Sequence, residues 1–196
     1  MRTSVLALAI LAAAPSVALA QADADGPMNT LIVRGGGGWM PLTDHALLGV
    51  NGGFAFRTEW NWFSVEFEPV AVTVDAFQRP SGFRIAFAHP SMRFMLQPNR
   101  AVSPSLSLGV GGSYQFSNND DDSAGEYAAL ALEGRASIGI DANRLRKVRP
   151  GASLDFVYPI ALLYGTDTLV ARPAFFMLNV HLGFNTRKSV WQAIGL

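Results

Sequence analysis

The chain has 196 residues, 49% of them hydrophobic and only 15% charged, against about 25% charged in soluble domains. Its 15 basic residues balance 15 acidic ones and are spread along the chain, which excludes the basic footprint of a nucleic-acid binder. Cysteine is absent, and with it disulfides, thiol chemistry, zinc-thiolate sites and the acceptor of an N-terminal lipid anchor.

Residues 1–20 read as a secretory signal: Arg2 at the start, an apolar run from Val5 to Ala14, and a small-residue cleavage site at Ala18-Leu19-Ala20. The run is shorter than the about 20 residues a spanning helix needs. Residues 21–28 form a polar, acidic leader without periodicity, expected to be disordered. From residue 29 apolar alternation with period two recurs about eight times, separated by turn-like interruptions. The first strand, near 30–38, turns Leu31 and Val33 to one face and Ile32 and Arg34 to the other.

The hairpin over 48–75 has the clearest two-faced pattern. Phe54, Phe56, Phe63, Val65 and Phe67 occupy one face, and Ala55, Arg57, Glu66 and Glu68 the other. A two-residue turn at Trp60-Asn61 would pair Glu59 with Trp62, Phe56 with Val65 and Phe54 with Phe67, leaving Arg57 diagonal to Glu66. Pro69 breaks the parity and marks a bulge. After a loop at 75–81, the fourth strand carries Arg84 inward and shifts phase at His89-Pro90. A turn over 97–104 leads to the fifth strand, with Leu106, Leu108, Val110, Tyr114 and Phe116 on its apolar face. An acidic loop tip at 118–125 and a sixth strand carrying Glu133 and Arg135 follow. A basic turn is expected over 141–150, then a seventh strand with Leu154, Phe156, Tyr158, Ile160 and Leu162 on the apolar face. After a loop at 165–172, the last strand alternates cleanly through Phe184.

Parity alone does not say which face is inside. The polar face consists mainly of small residues, Ala55, Ala86, Ala88, Ser107, Gly109, Gly111, Ala129, Ala131 and Gly139, with charges of both signs between them. That suits the crowded bore of a narrow barrel rather than a water-exposed surface, so the apolar face is assigned to lipid. Connections from odd to even strands tend to be the longer ones, as in outer-membrane barrels. Trp39, Trp60, Trp62, Tyr114, Phe116 and Tyr158 are expected to form two interfacial girdles.

With alternation, signal peptide and strand count in place, the chain resembles the small eight-stranded outer-membrane barrels of the OmpA and OmpX type. The resemblance implies an all-β fold, an eight-stranded antiparallel up-and-down transmembrane barrel over 29–184. It implies a location in the outer membrane of a Gram-negative envelope, assembly by the barrel-assembly machinery and contact with outer-membrane lipids. Leu178, Val180, Leu182 and Phe184 are similar to the aromatic-ended signal that machinery reads. In the family the aromatic usually comes last, whereas here a tail over 185–196 follows.

Arg34, Arg57, Glu66, Glu68, Arg84, Glu133, Arg135 and Asp155 are expected to face inward and to pair as a network filling or gating the bore. Ser153, Asp155 and His181 have the residue types of a nucleophile, an acid and a base, and parity places them on one face. Lipid A deacylases set a His and a Ser two apart on one strand. At the matching position here Gly183 follows His181, so that pattern does not carry over. Asp120, Asp121 and Asp122 lack the spacing of a calcium loop and are read as solvated charge. No metal site and no cofactor is expected, and His45 and His89 are unassigned. The expected protein is a monomeric, non-enzymatic outer-membrane barrel with a charge-filled lumen, structural or acting through its loops. The alternatives are a narrow porin-like pore or gated channel, an envelope-lipid-modifying enzyme, and a soluble periplasmic ligand-binding barrel.

Overall fold

The computed structural model describes residues 27–41, 46–75, 82–98, 100–118, 126–143, 147–165 and 174–186. The expected signal sequence, most of the expected leader and tail, His45 and the Asp120 to Asp122 run lie outside them. Eight strands follow one another: β1 (Met28–Pro41), β2 (Ala46–Glu59), β3 (Phe63–Asp75), β4 (Gly82–Met95), β5 (Val102–Asn118), β6 (Glu126–Ala142), β7 (Val148–Gly165) and β8 (Phe175–Thr186). Each pairs antiparallel with the next, and β1 pairs with β8 to close the barrel. Closure satisfies the edges that an open sheet would leave unpaired.

The distribution of side chains is inverted relative to a soluble protein. Among the described residues thirty-two large apolar or aromatic side chains are exposed and ten hydrophobic residues are buried, while five arginines and six carboxylates are buried inside. The alternation of β7 and β8 produces this directly: Leu154, Phe156, Tyr158, Leu178, Val180 and Leu182 point out, and Ser153, Asp155, Asn179 and His181 point in.

Three local features differ from the sequence expectation. The β2–β3 turn centres on Asn61-Trp62, not Trp60-Asn61, because Trp60 N–H donates to the Phe63 carbonyl at 2.8 Å. Glu59 therefore pairs with Ser64, Phe56 with Phe67, and Arg57 lies directly opposite Glu66. The slip of two in register preserves both faces, which is why parity could not detect it. Neither Asn61 nor Trp62 has a positive φ, so the turn is not of the primed type. Second, the phase shift at His89-Pro90 is a β4 bulge whose Ala88 has φ 48° and points outward. Ala88 thus leaves the inner set and His89 enters it. Third, β6 continues through Ala142 and β7 starts at Val148, so Asp141 and Arg149 belong to strands rather than to a turn. The bulge expected at Pro69 is present, since Phe54 pairs with Val70 but Phe56 with Phe67.

Following paired residues once round the barrel gives Asn29, Thr58, Val65, Met92, Leu108, Ala136, Phe156, Phe176 and then Trp39, a return ten residues further along β1. That offset over eight strands sets a tilt of about 40°, with about 2.5 Å of axial rise per residue and about 3 Å from strand to strand. Tyr158, mid-strand in sequence, thereby stands at about the height of Trp39, roughly 25 Å above Asn29. Trp39 stacks on Phe176 at 5.6 Å at this upper level, and Phe83 stacks on Phe116 at 5.6 Å and meets Tyr114 above it. Trp60, Trp62, Phe63 and Phe94 form the lower aromatic cluster, with centroids 5.5 to 6.1 Å apart. The separation of the two levels matches the apolar band of about 25 Å found on membrane barrels.

Candidate functional site: the charged bore

Small residues on the inner face make room for large polar ones. A Cβ on Gly111 would stand 2.3 Å from the His89 ring, one on Gly151 2.3 Å from His181, and one on Gly183 2.6 Å from the Arg149 stem. These glycines are the sockets in which the imidazoles and the guanidinium stem lie across the barrel.

The lower half of the bore is organised on Asp141 of β6. Its Oδ2 faces Arg57 Nη1 at 3.3 Å, Arg93 Nη1 at 3.5 Å and Arg149 Nη2 at 3.2 Å, and its Oδ1 lies 2.8 Å from His181 Nε2. Arg57 also reaches Glu66 at 2.7 Å and Glu59 at 3.2 Å, and Arg149 reaches Glu59 at 2.6 Å. Arg93 donates to Ser105 Oγ at 3.0 Å. Three arginines thus meet Glu59, Glu66 and Asp141, and the formal charges cancel. These pairs join β2 to β6 and β7 and β4 to β6, strands that are not neighbours, so they brace the barrel across its diameter.

Arg34, Arg84 and Arg135 occupy the middle and upper bore with Glu68, Glu133 and Asp155. Arg34 pairs with Glu66 and, at 2.9 Å, with Glu68, whose other oxygen accepts from Arg135 Nη2 at 2.8 Å. Arg84 pairs with Glu133 and lies 5.2 Å from the Phe175 ring centroid, a cation–π distance. His89 Nε2 is 3.8 Å from Glu133. Among the described residues Asp155 accepts only from Asn179 Nδ2, at 2.9 Å, and its buried Oδ1 has no donor. Between these residues and Asn51, Thr73 and Met177 is a cavity of about 10 Å³ for a water's centre, roughly the space of one water molecule.

All eight residues expected inside thus lie in the bore, and seven of them form ion pairs. The expected inward set left out Glu59, although it shares the parity of Arg57, and it left out His89, Arg93, Asp141 and Arg149. Asp141 continues the parity of Glu133 and Arg135, so a strand extended by one more residue pair would have included it. His89 sits at the β4 bulge, where counting from Arg84 gives the wrong face, whereas Arg93, between the outward Met92 and Phe94, follows from the phase shift already expected there. Ser153, Asp155 and His181 are all buried, yet Asp141 rather than Asp155 holds the imidazole and Asn179 holds Asp155. Among the described residues no group of three His, Asp or Glu side chains is arranged to hold a metal.

No protein-family model and no curated protein sequence matches the chain. Several solved structures share its fold, two of which illustrate it. Neisserial surface protein A superposes with a TM-score of 0.63 at 7% identity, covering 81% of this chain and 98% of that one. Ail, the attachment invasion locus protein of Yersinia pestis, superposes with a TM-score of 0.53 at 12% identity, again covering 81% and 98%. Both are small eight-stranded outer-membrane barrels, and this chain has their fold.

Proposed function

We propose that the protein is an integral outer-membrane barrel with a closed, ion-paired bore, acting without catalysis as a structural element of the envelope or through the connections at its upper rim. The observation that carries this reading is the inverted side-chain distribution: among the described residues thirty-two large apolar and aromatic side chains lie outside, with charges inside. In water such an exterior would drive aggregation, whereas in a bilayer it is the required solvent-facing surface. The likeness to outer-membrane barrels supports the location.

A conducting pore is disfavoured by ion pairs that cross the lumen at several levels. A soluble carrier would need an apolar internal cavity, yet the one apolar cluster among the described buried residues, Val157, Phe175 and Met177, is packed together. Lipid hydrolysis would need the nucleophile, base and acid to meet within reach of the membrane. Here His181 is engaged with Asp141 inside the barrel.

Membrane fractionation and planar-bilayer recording test the reading together. Recovery in the detergent-extracted outer-membrane fraction, heat-modifiable gel migration and an electrically silent bilayer are expected. Recovery in the soluble periplasmic fraction would end the membrane assignment, and discrete conductance steps would end the closed bore.

A further inference from the structure

Of the six buried carboxylates in the bore, Asp155 is the one without an ion pair among the described residues. Its Oδ2 accepts from Asn179 Nδ2 and its Oδ1 has no donor among those residues, an arrangement that is costly for a charge out of water. Cations are nonetheless close by. Asp155 and Asn179 line one cavity with Asn51, Arg34, Arg84 and Arg135. Each of these three guanidinium groups turns a terminal nitrogen to a glutamate, and each has a buried Nε–H with no acceptor among the described residues. Asn51 Nδ2 and Asn179 Oδ1 are buried without a partner in the same sense. In Asn179 the bond from Nδ2 to Asp155 fixes which amide atom is left over. Spare acceptors and spare donors thus belong to side chains around a single space of about 10 Å³ for a water's centre.

We propose that this cavity is a binding site for one ordered water molecule, which donates to Asp155 Oδ1 and accepts from a guanidinium Nε–H, and so couples the unpaired carboxylate to the arginines of the upper bore. Its second proton and second lone pair suit Asn179 Oδ1 and Asn51 Nδ2, giving the two to four polar partners a buried water needs. Charge selects a neutral occupant. Arg34, Arg84 and Arg135 are already balanced by Glu68, Asp155 and the Glu133 that Arg84 holds. An anion would meet the Asp155 carboxylate and a cation three guanidinium groups, and neither would find a counter-charge to offset its desolvation. The side chains around the site come from β1, β2, β4, β6, β7 and β8. The water therefore links strands across the upper bore, as Asp141 does directly in the lower. The inference requires the closed barrel alone and is independent of what covers its exterior.

The test is crystallographic, on the full chain, at a resolution that shows ordered water. Parallel crystals are grown with bromide in place of chloride and with rubidium in place of sodium, and anomalous data are collected from each. The expected result is one density peak within about 3 Å of Asp155 Oδ1 and of a guanidinium nitrogen, without anomalous signal from either ion. A bromide peak at the site would overturn the proposal in favour of an anion, and a rubidium peak in favour of a cation. Flat density would overturn it as well, and so would an arginine turned directly onto Asp155, since the carboxylate would then be satisfied without a third party. Each of these results leaves the membrane reading untouched, because fractionation and bilayer recording, not the contents of this cavity, decide it.

Discussion

Replacing Asp141 with asparagine keeps the side chain's shape and removes one negative charge from among Arg57, Arg93, Arg149 and His181. The four contacts span 2.8 to 3.5 Å and the carboxylate is fully buried. The loss does not scale with the number of partners. Arg57 retains Glu66 and Glu59, and Arg149 retains Glu59, but Arg93 keeps only Ser105 and a Glu66 oxygen 4.0 Å away. The expected cost is thus that of one broken buried pair, about 3–5 kcal/mol. With a urea dependence of about 1–3 kcal/mol per M, the unfolding midpoint should fall by about 2 M. The assay is urea unfolding in lipid vesicles, read by tryptophan fluorescence and by heat-modifiable migration. Adding Arg93→Met should recover much of the loss, because it removes the guanidinium left without a carboxylate. A midpoint within about 0.3 M of the parent for Asp141→Asn, or no recovery in the double variant, would refute the claim that this carboxylate holds the lower bore together.

Other outcomes follow from the same geometry. Arg84→Met or Glu133→Leu alone should each destabilise by about 3–5 kcal/mol, whereas the pair changed together should be near neutral, measured as a double-mutant cycle in urea. Gly36→Ala should abolish or sharply reduce folding, since its Cβ would stand 2.0 Å from the Leu178 carbonyl oxygen at the β1–β8 seam. Gly37→Ala, whose nearest atom is 3.8 Å away, should fold normally, and the folded fraction on unheated gels compares the two. Leu108→Arg, on the outer face near mid-height, should cost about 2–4 kcal/mol in vesicles. An unchanged midpoint for Leu108→Arg would count against lipid contact at that position.

Much of the fold could be read directly from the residues. Alternation such as that from Phe176 to Phe184 identifies a strand and sorts its side chains into two sets, because successive Cβ atoms point to opposite faces. Small residues on the polar set indicated which face was crowded. Legibility failed wherever the count slipped. The bulge at Ala88 inverted parity and concealed His89, while the turn-like composition around Arg149 masked two strand ends. At Asn61-Trp62 the register moved by two, a change that parity cannot register but that sets Arg57 directly opposite Glu66.

By itself, the order of residues determined eight strands, their two faces away from the bulges, and eight of the charged residues of the bore, since these depend only on local periodicity. Which charges meet was decided by closure. Arg57 and Asp141 are 84 residues apart in sequence, and they face each other because strands tilted by about 40° bring distant strands to a common height. Face is a property of neighbours along a strand. Height and partner are properties of the closed cylinder, and no stretch of sequence shorter than its whole circumference contains them.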